Sequence, residues 1–197
     1  MNDRAPAGMV QTVLGPICPE SLGVTLTHEH LLIDLAALRK SPILEDSSPM
    51  LHQPLSMKNI GYVRHHGVGV ADNNRLTSVQ TAIDEAKLYR QYGGCSMVDV
   101  TSIGISRDPS SLVRISNAAE INIVMGSSYY VDESHPLDMD DLSEDDLVSR
   151  IVSDITNGVD GTNIKAGIIG EVGCTWPLTN NEQKVLRASA RAQKLTG

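Results

Sequence analysis

Short apolar runs alternate with helical patterns along this chain, and that alternation constrains the fold more than any other feature. The runs are Val24 to Ile33, Cys95 to Ser102 (CSMVDVTS), Ile121 to Ser127 (INIVMGS) and Ile164 to Val172 (IKAGIIGEV). Each reads as a buried strand. A long irregular region from Ala36 to about Arg75 follows the first, rich in Pro and Gly, and a loop of that length is usually functional. A helix is then predicted from Thr77, with Gln80 completing a capping box and Val79, Ala82, Ile83, Ala86 and Tyr89 forming its apolar stripe. Gly93-Gly94 ends it. Asp108-Pro109 opens a second helix with Leu112, Ile115 and Ala119 on one face. Ser143 opens a third, carrying Leu147, Ile151 and Ile155 and closed by Gly158. Thr179 and Glu182 cap a fourth, with Val185, Ala188, Ala192 and Leu195.

Four strand–helix units imply a parallel α/β sheet with right-handed crossovers. An open doubly wound sheet and a (β/α)8 barrel of the TIM type both satisfy the pattern. No GxGxxG or GxxxxGK[ST] follows a strand, which weakens the nucleotide-binding version. A full barrel needs eight strands and about 250 residues. Four units in 197 residues read as a partial barrel, so residues 1–197 are expected to form a single incomplete domain.

Composition narrows the partners. Lys plus Arg is 16 and Asp plus Glu is 24, for a net charge of −8, and no basic cluster stands out. A nucleic-acid partner is not expected. No apolar run is long enough to span a bilayer, the N-terminus lacks the apolar core of a signal peptide, and no membrane partner is expected. Cys18, Cys95 and Cys174 are widely spaced and odd in number, which is neither a disulfide framework nor a CxxC site. Together these features predict a cytoplasmic protein, and the acidic balance names no substrate.

The chemistry is concentrated in LTHEH. Residues i and i+2 of a strand share a face, so His28 and His30 project together and Glu29 points away. Two imidazoles near the C-terminal end of a strand suit a divalent transition metal such as zinc. Two hydrogen-bonded histidines with no metal satisfy the same spacing. Glu171, at the end of the fourth apolar run, is a third candidate ligand, since a carboxylate there needs a partner or a cation. His65-His66, His52 and His135 read as loop histidines. Arg107 could pair with Asp108, which also caps the helix, or meet an anionic substrate, and the structural role is the preferred reading. Tyr129-Tyr130 read as packing residues at the end of the third strand, and Leu137 to Asp146 as a solvated acidic loop and helix start.

The blocks VQTVLG…LTHEHLLID, GISRD and GVDGTNIKAGIIGEVGCTWPLT occur in this order. With them the chain closely resembles the phosphotriesterase-related proteins, metal-dependent β/α barrels of the amidohydrolase superfamily. The resemblance spans nearly the whole chain. It implies a two-metal hydrolase acting on a small-molecule substrate, with ligand positions already singled out: the HxH of the first strand maps onto His28 and His30, and the bridging residue of the fourth strand onto Glu171. Bacterial phosphotriesterases carry a carboxylated lysine at that position, so Glu171 implies an amide or ester substrate, such as an N-acyl amide of the N-acetyltaurine kind, rather than an organophosphate. The cofactor it implies is two Zn2+ per complete barrel. The family's remaining ligands are histidines of the fifth and sixth strands and an aspartate of the eighth, the expected proton shuttle, and this sequence has no counterpart of them. The 197-residue chain is therefore expected to be inactive alone. The alternative is a non-catalytic chain that binds or regulates.

Overall fold

The computed structural model describes residues 8–40, 52–66 and 70–197. The chain opens with an antiparallel hairpin, β1 (Val10–Thr12) and β2 (Gly15–Ile17), that the hydrophobic pattern does not announce. Val13 at its tip is buried and donates its N–H to the Ile123 carbonyl (2.8 Å), so the hairpin closes one end of the main sheet.

That sheet has four parallel strands in the order β3 (Thr25–Glu29), β6 (Ser96–Asp99), β7 (Asn122–Ser127) and β8 (Ile168–Ile169). Consecutive units lie side by side, as a barrel requires and a doubly wound sheet with a switch point does not. The architecture is a curled partial β/α barrel. The run Val24 to Ile33 is not one strand: after Glu29 the backbone leaves the sheet, and β4 (Ile33–Asp34) pairs antiparallel with β5 (Arg75–Leu76). Asp34 and Arg75 reinforce that ribbon with a 3.0 Å ion pair. The fourth run is likewise cut to two ladder residues.

The region from Ala36 to Arg75 is more structured than its Pro and Gly content suggests. It holds 3₁₀ turns at Ala36–Lys40 and Ala71–Asn74 and helix α1 (Ile60–His66). The expected loop character of Pro42, Pro49, Gly67 and Gly69 lies outside the described residues.

Four helices follow the strands. α2 (Val79–Gln91) is capped by Ser78, whose hydroxyl accepts from the Thr81 N–H. The expected Thr77–Gln80 box does not form, because Gln80 donates instead to Asp84 (2.8 Å). α3 (Pro109–Ala119) starts at Asp108 as predicted. α4 (Glu144–Thr156) and α5 (Asn180–Thr196) begin with capping boxes, Ser143–Asp146 and Thr179–Glu182. Burial follows the predicted stripes: Ala82, Ile83 and Ala86 of α2 and Leu112, Ile115 and Ala119 of α3 pack with Met97, Ile123 and Met125 of the sheet. Leu147 and Val148 of α4 meet Val185 and Ala188 of α5 and Tyr129. Leu195 is an exception to its stripe and lies exposed.

Candidate metal centre

A carboxylate placed where two strands end can face groups contributed by the other. β3 delivers His28, and His30 follows one residue beyond it. Glu171 follows β8 by two residues. Backbone bonds lock these two segments together through one residue: Val100 N–H donates to the Glu29 carbonyl (3.0 Å), and Glu171 N–H donates to the Val100 carbonyl (3.1 Å). The sheet also approaches closely here, since a Cβ on Gly126 would stand 2.1 Å from the Gly170 carbonyl.

The result is a three-residue cluster. His28 Nε2 lies 3.1 Å from Glu171 Oε2 and His30 Nε2 lies 3.2 Å from Glu171 Oε1. The three ligand atoms all fall within 4.8 Å of one another, and among the described residues no other set of three His, Cys, Asp or Glu does so. The two rings meet edge to face, 5.7 Å between centroids. Separations near 3 Å are what neighbouring ligands span on a divalent ion with bonds of about 2.1 Å. Two imidazoles and one carboxylate are also a donor set that zinc accepts. The residues present therefore fit the expected cation. His28 is the open side of the cluster, with its side chain 62% exposed, against 22% for His30 and 19% for Glu171.

Behind the cluster lies a buried polar clamp. Asp99 is fully buried, and its carboxylate accepts from the Leu31 N–H (2.8 Å) and the Thr101 N–H (3.1 Å). Burial raises the Asp99 pKa above the usual carboxylate value, with those donors and His30 opposing the rise. The Thr101 hydroxyl is 2.9 Å from His30 Nδ1 and donates to the Leu32 carbonyl (3.1 Å). Neither Asp99 nor Thr101 stands out in the sequence as a site residue. The available signal is an acidic residue inside an apolar strand, DVT, beside the strand that carries HEH.

Burial raises the phenol pKa of Tyr130 first, and the negative charge of Glu171 raises it further. Tyr129 is buried among the α4 and α5 residues, as expected of a packing aromatic.

The other candidates fall elsewhere. His65 and His66 are exposed on α1, and His66 stacks on Tyr62. His52 is exposed. His135 lies in a loop as expected, with its ring buried against Tyr129 and its Nε2 2.9 Å from the Tyr130 carbonyl. Arg107 is structural as expected, but its partners are Asp154 (2.8 Å) and Asp160 (3.1 Å) rather than Asp108, which is occupied in capping α3.

Comparison with known proteins gives a consistent result. The model of the phosphotriesterase family matches residues 8–197. The chain is 40% identical over 192 residues to an N-acetyltaurine hydrolase of Xenopus tropicalis, covering 97% of this chain and 55% of that protein. It is 39% identical over 194 residues to a phosphotriesterase-related protein of Nematostella vectensis, with the same coverage. Among solved structures, a resiniferatoxin-binding protein from Rhodobacter sphaeroides superposes with a TM-score of 0.91 at 38% identity, over 99% of this chain and 55% of that one. A phosphotriesterase homology protein from Escherichia coli, complexed with phosphate in its active site, gives 0.69 at 26% identity, over 90% and 51%. The chain thus spans about half the length of the curated relatives it matches.

Proposed function

The chain belongs to the phosphotriesterase family, and on that premise we propose that it carries the first part of a zinc-dependent hydrolase centre, with His28, His30 and Glu171 as metal ligands. The observation that supports this reading is the convergence of two imidazole nitrogens and one carboxylate from opposite ends of the chain within 4.8 Å. When bound, such a metal supplies a Lewis acid and an activated water.

The chain's own residues hold and orient. His28 and His30 present Nε2 toward Glu171, and each carboxylate oxygen of Glu171 faces a different ring. His28, His30 and Glu171 would hold the cation that supplies this chemistry, and two zinc ions per complete barrel are part of the proposal. Residues 1–197 are read as a single, incomplete hydrolase domain.

The substrate class we assign is an amide or ester, with N-acyl amides first. The support is the name of the 40% identical relatives, N-acetyltaurine hydrolases, together with a glutamate at the bridging position. Among the described residues no helix is long and apolar enough to cross a membrane.

The test is zinc titration of the purified chain, followed by elemental mass spectrometry. Saturable zinc uptake that disappears in His28→Ala and in His30→Ala is the expected result. Uptake unchanged in both variants would remove the ligand assignment. Release of taurine from N-acetyltaurine, measured with zinc present, then tests the substrate class separately. Little turnover by the 197-residue chain is expected, because the proposed donors supply only three ligands.

A further inference from the structure

A histidine can bind a metal through either ring nitrogen, and the proton on the other nitrogen decides which. His30 Nδ1 faces the Thr101 hydroxyl at 2.9 Å, while His30 Nε2 faces Glu171 at 3.2 Å. A hydroxyl has a single proton to donate. The Leu32 carbonyl, 3.1 Å from the Thr101 hydroxyl, can only accept, so the hydrogen bond between them uses that proton. What Thr101 offers His30 is therefore a lone pair, and Nδ1 must bring the hydrogen.

We propose that Thr101 is a positioning residue: by tying its own proton to the Leu32 carbonyl, it holds His30 with a hydrogen on Nδ1 and leaves Nε2 as the atom that meets the cation. The surroundings enforce this. Thr101 is 1% exposed and Leu32 7% exposed, so water cannot readily replace either partner. Turning the hydroxyl proton toward Nδ1 would take it from the buried Leu32 carbonyl, which is expensive in free energy. Thr101 cannot drift, because its N–H is held by Asp99 Oδ1 (3.1 Å). The same Asp99 carboxylate accepts from Leu31 N–H (2.8 Å), so it fixes the residues on both sides of the His30–Thr101 bond. Among the described residues no such support reaches His28, and its ring is mostly exposed. The two ligands are thus unequal: His30 is preset, and His28 is free to adjust.

The inference rests on the proposed metal centre only for the identity of the cation. Its test is nitrogen NMR of the six histidines, labelled with 15N, with the His30 signals assigned from a His30→Gln variant. Nδ1 of His30 is expected to carry a proton in the wild-type protein both without and with zinc. The second measurement is zinc affinity by chelator competition. Thr101→Val, which keeps the shape and removes the hydroxyl, should weaken zinc binding by about tenfold, at the low end of the 10–100-fold typical of groups that orient a metal ligand. Thr101→Ser should restore it.

A bare Nδ1 in the wild-type protein overturns the proposal, and this result needs no variant to fold. So does a Thr101→Val protein that retains wild-type helicity and wild-type zinc affinity. If no protein binds zinc but His30 Nδ1 is protonated throughout, the tautomer assignment stands and the metal reading fails.

Discussion

His28 Nε2 lies 3.1 Å from Glu171 Oε2 across 143 residues of chain. A contact of such sequence separation survives only because backbone bonds on both sides of Val100 tie the two segments together. Charge, not shape, is what Glu171 brings. Glu171→Gln keeps the side-chain outline and removes the carboxylate. Zinc affinity should fall by more than the roughly 10–100-fold that loss of an orienting partner produces, with thermal unfolding of the metal-free protein little changed. Chelator competition measures the first, and calorimetry without metal the second. Retention of wild-type zinc affinity would exclude Glu171 as a ligand.

Gly126 tests whether the site depends on the close approach of β7 to the segment before Glu171. A Cβ there would stand 2.1 Å from the Gly170 carbonyl and 3.2 Å from the Val100 Cα. Both neighbours are backbone and cannot step aside as a flexible side chain can. Gly126→Ala should therefore push Gly170 and Val100 apart, and they flank or bind Glu171. The expected outcome is a loss of stability of about 1–3 kcal/mol, the range of overpacking in a core, and weaker zinc binding by the fraction that remains folded. Denaturant titration and zinc competition on one preparation separate the two effects.

The order of strands and helices is legible in the sequence because period and punctuation agree: Asp108-Pro109, Ser143 and Thr179 each open a helix as their types demand. So are His28, His30 and Glu171, since two histidines and a carboxylate at the ends of apolar runs need partners. What the residues themselves leave hidden is set by tertiary contact. The end of β3 at Glu29 is such a case, because β4 finds its partner more than forty residues later, at Arg75–Leu76. The β1–β2 hairpin is too short for a periodic signal, and its place is fixed by Val13 docking on Ile123. Thr101 is hidden for the same reason: a threonine two residues past a strand announces nothing until the histidine it faces is known.

Arg107 and Asp154 form a buried pair, each side chain 2% exposed. Arg107 also reaches the Gly126 carbonyl (3.3 Å) and Asp160, while Asp154 accepts from Ser127 (2.9 Å) and is approached by Arg150 (3.4 Å). Removing one member of such a pair strands the other. Arg107→Ala should cost about 3–5 kcal/mol, and the double change with Asp154→Ala less than the sum of the two single changes. Urea unfolding of the three variants closes the cycle. Additive single and double effects would mean that the pair does not act as a unit.

Glu182 provides the acid limb of stability. Its side chain is fully buried in the capping box of α5. Burial pushes its carboxyl up. The Thr179 N–H (3.0 Å), the Thr175 hydroxyl (2.8 Å) and N–H (2.9 Å), and the Asp132 N–H (3.3 Å) outweigh this, so its pKa lies below the usual glutamate value. A carboxyl whose pKa is lower folded than unfolded stabilises the fold above the unfolded value, near 4.3. That contribution is lost as pH falls through the folded value. Glu182→Gln removes the titration while keeping an acceptor oxygen. Wild type should therefore exceed Glu182→Gln in unfolding free energy by a constant amount at neutral pH, and the two curves should converge in acid, below the unfolded value. The gap at neutral pH should be about 1.5–3 kcal/mol, the range for hydrogen bonds to a charged group. Denaturant unfolding at a series of pH values measures both curves. Parallel curves down to the acid limit would show that Glu182 does not supply this part of the pH dependence.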